Sequence, residues 1–119
     1  YSFDRAIDLK GTVEGAEVYP MEREAELLPL CDTVTITGTS MINHTTEEIL
    51  SMCRNARHVI LSGFSVPFYP EAYRGSGLTA LGTLYFTEDS TALMRPLSLA
   101  AGRLRVREYT QSVFCRLSD

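Results

Sequence analysis

The chain has no tryptophan, only three cysteines and two histidines, and fewer basic than acidic side chains, 11 against 15. Each shortage closes off a class of function. A formal net charge of -4 leaves no excess of cations to neutralise phosphates, so nucleic acid is not an expected partner. No apolar run approaches the roughly 20 residues that cross a bilayer as a helix, so no membrane partner is expected either. The first residues are polar and charged, and no secretory signal is visible. Cys31, Cys53 and Cys115 are odd in number and widely spaced, with no C-x-x-C. That argues against a disulfide framework and suits reduced thiols in a cytoplasmic protein, each acting as a small buried side chain. There is no G-x-G-x-x-G, no Walker loop and no G-x-S-x-G elbow, so neither a dinucleotide fingerprint nor a hydrolase nucleophile is legible.

What is present is an ordinary globular composition. A length of 119 residues, 45% hydrophobic and 22% charged, predicts one domain with its own core. The chain starts at Tyr1 rather than methionine, which leaves open a processed start or a piece of a longer polypeptide.

Patterning predicts alternating strands and helices. Residues 12–19 (TVEGAEVY) read as a strand, and 21–30 as a short helix ending near Pro29. Residues 33–37 (TVTIT) form a β-branched strand closed by Gly38. Thr45-x-x-Glu48 has the spacing of a capping box, and Ile49, Met52, Cys53 and Ala56 follow at helical intervals. Arg54, Arg57 and His58 stand at the basic end of that helix, where they complement its dipole. HVILS at 58–62 reads as a buried strand ended by Gly63, and 70–74 as a single helical turn. Residues 79–86 read as a strand and 91–101 as a helix limited by Pro96. The tail has strand periodicity in 103–109 and again from 112. Such an order predicts an α/β, Rossmann-like three-layer domain with a mainly parallel sheet of about five strands, built on right-handed crossovers.

In such sheets ligands bind beyond the C-terminal ends of the strands. That places Glu17 to Pro20, Thr37 to Asn43, Ser62 to Pro67 and Thr87 to Asp89 on one edge. Thr37-Gly38-Thr39-Ser40 lies between a strand and a helix, where backbone N–H groups and hydroxyls can converge on an anion. Ser62-Gly63-Phe64-Ser65 repeats the theme one unit later. Each stretch is equally readable as an ordinary turn of small residues. Glu17 at a strand end could hold a ribose, or be a solvated carboxylate. His44 could be a metal ligand or proton carrier, whereas His58 reads as structural. No spacing assembles a multidentate metal site. The stripe of Arg103, Arg105 and Arg107 reads as a solvated strand face.

Taken together, Leu28-Pro29, Asp32, Thr37-Gly38-Thr39, Asn43, Thr45, Gly63-Phe64-Ser65-Val66-Pro67 and Gly77-Leu78-Thr79-Ala80-Leu81-Gly82 resemble the pattern of the putative heavy-metal-chelation domain family. Glu17-Val18-Tyr19-Pro20 is similar to that family's Glu-x-Asn-Pro. The chain departs from the pattern at Tyr19, His44 and Phe64. The resemblance implies a Rossmann-like C-terminal domain, preceded in longer members by a domain similar to the N-terminal domain of enolase, with a site between the two. Residues 1–119 are thus expected to be a single Rossmann-like domain, or the C-terminal part of a longer polypeptide.

Three functions fit these observations. The first is a binding domain for a small-molecule or metal ligand, with Glu17, Thr37, Gly38, Thr39, Ser40, Asn43, Ser62, Gly63 and Ser65 around the ligand. On this reading His44 is the candidate metal ligand, and a divalent or heavy metal ion the candidate cofactor. The second is a transferase or lyase using a nucleotide-like cofactor. The third is a subunit whose site is completed by a homodimer partner or a companion domain.

Overall fold

The computed structural model describes residues 1–3, 11–13, 15–87, 92, 94, 98–99 and 109–117. The expected helix over 91–101 and strand over 103–109 lie largely outside these residues.

The described chain forms two sheets and several short helices. Strand β1 (Ser2–Phe3), β2 (Gly11–Val13) and β3 (Ala16–Tyr19) form a small sheet in the order β1-β3-β2. β1 runs parallel to β3, and β2 antiparallel to it. Residues 12–19 are therefore a hairpin rather than one strand. The cause is Gly15, whose φ of 85° turns the chain where a residue with a Cβ is disfavoured.

Helical turns at Met21–Arg23 and Leu28–Leu30 flank α1 (Glu24–Leu27) and lead into the main sheet. This comprises β4 (Thr33–Thr37), β5 (His58–Ser62), β6 (Ala80–Phe86) and β7 (Thr110–Arg116), in that spatial order. β4, β5 and β6 are mutually parallel, but β7 pairs antiparallel with β6 from Phe86↔Thr110 to Ala80↔Arg116. The expectation of one mainly parallel sheet of about five strands is corrected on two counts. The described main sheet has four strands and is mixed, and the strand that carries Glu17 belongs to the other sheet. β7 has largely exposed side chains, as an antiparallel strand can, whereas parallel strands need cover.

α2 (Thr39–Ile42) and α3 (Thr46–Met52) connect β4 to β5. Residue 45 does precede α3, but the capping box is not made. The Thr45 hydroxyl donates to the Ser40 carbonyl instead, at 3.4 Å, and no side chain caps the helix. α3 is also shorter than its periodicity suggests, ending at Met52.

One face of the main sheet is the core. Val34, Ile36, Val59, Leu61 and Leu81 meet Leu28, Cys53, Val66 and Leu78, with Ile49, Leu50 and Met52 packed against them. Leu61 and Leu81 are wholly buried, each contributing about 1.5–3 kcal/mol. In β4 the alternation is strict: Val34 and Ile36 point inward, while Thr33, Thr35 and Thr37 stay exposed.

Candidate functional site

A groove of about 570 Å³ follows β4, which is an edge of the main sheet among the described residues. All five β4 residues line it. At their C-terminal end it continues past Thr39, Ser40, Asn43 and Thr45, and Tyr1, Ser2 and Phe3 line it as well. Four of the residues expected at the site, Thr37, Thr39, Ser40 and Asn43, thus share one end of one groove.

Their chemistry is that of neutral hydrogen-bonding groups. Thr37 and Thr39 are exposed, and the contact between their hydroxyls is long, at 3.4 Å. Both hydroxyls therefore retain most of their capacity for a ligand. The exposed Asn43 carboxamide adds two donors and an acceptor. Ser40 differs. It is 4% exposed, and its hydroxyl lies 2.7 Å from that of Thr46, so its main work is to join α2 to α3.

The two glycine loops are adjacent, but their amides are already used. Gly38 donates its N–H to the Ser62 carbonyl at 2.8 Å, and Gly63 donates to the Gly82 carbonyl at 3.0 Å. Nor can the four-residue α2 supply much of a dipole. An anion cradle made of the Gly38 and Gly63 amides is therefore not what these loops form. Gly38 instead permits close packing: a Cβ there would lie 2.8 Å from Val66 Cγ2 and 2.9 Å from the Val66 nitrogen. Gly63 adopts φ 132°, open to glycine alone in practice.

Ser62, Gly63 and Ser65 do not line the groove. They form the support behind its polar end. Sequence reasoning missed the residue that anchors this support. The buried Thr83 hydroxyl lies 3.1 Å from the Gly63 carbonyl and 3.2 Å from that of Val66, holding the loop between them. Tyr73, which donates to the Pro67 carbonyl at 3.1 Å, was likewise not legible. Thr33 and Thr35 had a signal, the alternating hydroxyls of TVTIT, that marks one face of a strand.

Glu17 and His44 stand apart from the groove lining. Glu17 accepts a hydrogen bond from the Tyr19 hydroxyl on the small sheet. That bond, and the adjacent negative charge, push the Tyr19 phenol above its ordinary pKa. The Arg23 guanidinium lies 5.1 Å from the Tyr19 ring centroid and pairs with Glu26 at 2.8 Å. His44 is exposed in a left-handed turn with φ 57°, the one non-glycine residue at positive φ among those described. No group of three or more His, Cys, Asp or Glu side chains placed to hold a metal ion occurs among the described residues. Nor is any helix among them long and apolar enough to cross a membrane.

Comparisons with known proteins agree on a family. The chain is 34% identical over 71 residues to an uncharacterized protein of Methanocaldococcus jannaschii, covering 60% of this chain and 27% of that one. A crystal structure from Pyrococcus horikoshii superimposes with a TM-score of 0.82 at 22% identity, over 98% of this chain and 46% of the other. A second, from Desulfitobacterium hafniense, gives 0.74 at 25% identity, over 96% and 42%. Both are proteins of unknown function from the DUF364 family. The chain therefore spans less than half the length of these relatives. The family model described as putative heavy-metal chelation matches residues 4–116, and the chain belongs to that family.

Proposed function

We propose that this member of the putative heavy-metal-chelation family is a binding domain, and that it takes a small, oxygen-rich ligand at the polar end of the β4 groove. The observation that carries this reading is the convergence of Thr37, Thr39 and Asn43 at one end of a single groove, beyond the C-terminal end of a parallel strand. Their hydroxyls and carboxamide suit hydrogen bonds to carboxylate, hydroxyl or carbonyl oxygens. Glu17, Ser62, Gly63 and Ser65 are not assigned contact with the ligand. The last three support the wall that the ligand meets.

Metal fits this reading only as cargo. Threonine hydroxyls and an amide are weak ligands for a soft or borderline ion, which prefers thiolate and imidazole. His44 does not stand in a group of three such donors among the described residues. A heavy metal would enter already held by the small molecule's own donor atoms, with Thr37, Thr39 and Asn43 recognising that molecule's periphery. Competition calorimetry tests this. Zinc citrate should bind and zinc chloride should not, and Asn43→Ala should weaken the complex about tenfold, the loss of one good hydrogen bond. Tight uptake of zinc chloride, undiminished in Asn43→Ala, would sink the reading.

A further inference from the structure

We infer that the ligand of this groove is amphiphilic, with an oxygen-rich head at Thr37, Thr39 and Asn43 and an uncharged apolar chain lying along β4 toward Cys31. The inference rests on the proposed ligand site and names the class of molecule which that site takes.

Size is the first reason. A space of about 570 Å³ suits a molecule of drug size. The three hydrogen-bonding side chains gather at one end of it. From Thr33 to Thr37 the strand advances about 13 Å, at roughly 3.3 Å per residue. A head small enough to be held by Thr37, Thr39 and Asn43 leaves much of that length to the rest of the molecule.

The remaining lining matches an apolar chain. Besides its polar residues, the groove is lined by Phe3, Met21, Leu28, Val34, Ile36 and Ile49. Thr33 and Thr35 add hydroxyls and methyl groups along β4 but no charge. Apolar surface framed by a few polar groups is the usual make-up of a small-molecule site. An alkyl chain laid on that surface releases water from both.

Charge sets the direction. Glu24 is the one charged side chain among the described residues that line the groove. It belongs to the end where β4 begins. Leu28 donates its N–H to the Glu24 carbonyl, and Cys31, two residues before β4, donates to the Leu28 carbonyl at 3.1 Å. Burial raises the pKa of Cys53, and the nearby Cys31 and Glu24 add to that shift, which sets the three side by side. The exposed Asp32 adds a second carboxylate beside Cys31. An anionic head is repelled from that end and accepted at the other, where Thr37, Thr39 and Asn43 are neutral. By the same rule the far end of the chain carries no carboxylate of its own.

Cys31 reports on where the chain ends. Its thiol lines the groove and is half-buried, so it is open to reagents until something covers it. Cys115 is also half-buried but does not line the groove, which makes it the internal control.

The test uses three 2-hydroxy acids with one shared head: lactate, 2-hydroxyoctanoate and 2-hydroxydodecanoate, each below its micelle concentration. Amide shifts of Thr37 and Asn43 in the 119-residue chain give the dissociation constants. A fully buried methylene tightens binding about fourfold, and one in an open groove about twofold. Five methylenes longer than lactate, 2-hydroxyoctanoate should therefore bind about thirtyfold tighter. Saturating 2-hydroxydodecanoate should slow alkylation of Cys31 by iodoacetamide about tenfold and leave Cys115 unchanged, and saturating lactate should slow neither. Asn43→Ala should weaken all three acids by one common factor, about tenfold, because they share the head. Equal affinity for the three, each weakened in Asn43→Ala, would overturn the amphiphile and leave the proposed function standing. Equal protection of Cys31 and Cys115 would also overturn it, by showing adsorption without placement. Binding undiminished in Asn43→Ala would overturn the proposed function, and the inference with it.

Discussion

Gly38 and Val66 are packed so closely that a single methyl group on Gly38 would fall 2.8 Å from Val66 Cγ2. The contact locks the loop after β4 against the loop after β5, and it explains why a glycine ends the β4 strand. The neighbouring atoms include backbone, which cannot swing aside as a side-chain end can. Gly38→Ala should therefore destabilise the fold by about 1–3 kcal/mol. Gly63→Ala should cost a similar amount through strain at φ 132° rather than through crowding. Urea unfolding measures both. A neutral Gly38→Ala would show that the two loops are not held as described.

Ser40 and Asn43 should separate stability from binding. Ser40→Ala removes a buried hydroxyl and leaves that of Thr46 without its partner, so stability should fall by about 1–2 kcal/mol. The exposed Asn43 makes no such link. Asn43→Ala should change stability by no more than about 0.5 kcal/mol while weakening the ligand. Equal unfolding midpoints for the two variants would contradict this division of roles.

The three thiols should react in a definite order. Cys53 is buried, donates to the Ile49 carbonyl at 3.2 Å, and has its pKa pushed up by burial. Cys31 and Cys115 are only half-buried. A thiol reagent near neutral pH should modify those two first and reach Cys53 only on unfolding, because the thiolate is the nucleophile. Early modification of Cys53 in folded protein would refute this. It can be read by mass spectrometry of peptides.

Tyr19 should ionise late. Its hydroxyl donates to the Glu17 carboxylate, and ionisation would lose that bond and set two negative charges together. With the folded pKa raised above the ordinary 10.0, the contribution to stability is intact below that pH and fades as pH rises through the folded value. Glu17→Ala should bring the phenol's ultraviolet titration back toward its ordinary position. An unchanged titration would show that the bond does not form in solution.

Much of this was legible in the sequence, for particular physical reasons. β4 and β5 were readable to the residue, because TVTIT and HVILS are β-branched or apolar runs closed by glycine. Thr37, Thr39, Ser40 and Asn43 were readable as a group because they directly follow such a strand. The hairpin at Gly15 was not, since a glycine inside an alternating stretch marks a turn only once φ is known. The antiparallel direction of β7 was also hidden, because strand direction depends on the connection before it rather than on the strand's own residues. The free hydroxyl pattern misled at Thr45, whose side chain turns to Ser40 instead of capping α3. Long-range partners such as Thr83 with Gly63 leave no local trace at all.

Amide chemical-shift mapping with citrate, zinc citrate and zinc chloride tests the proposed site most directly. Both citrate forms should shift Thr37, Thr39, Ser40 and Asn43 saturably, Asn43→Ala should weaken this about tenfold, and zinc chloride alone should leave these amides in place. Saturable shifts with zinc chloride alone, or citrate shifts gathered around Glu17 and Tyr19 with the β4 groove silent, would contradict it.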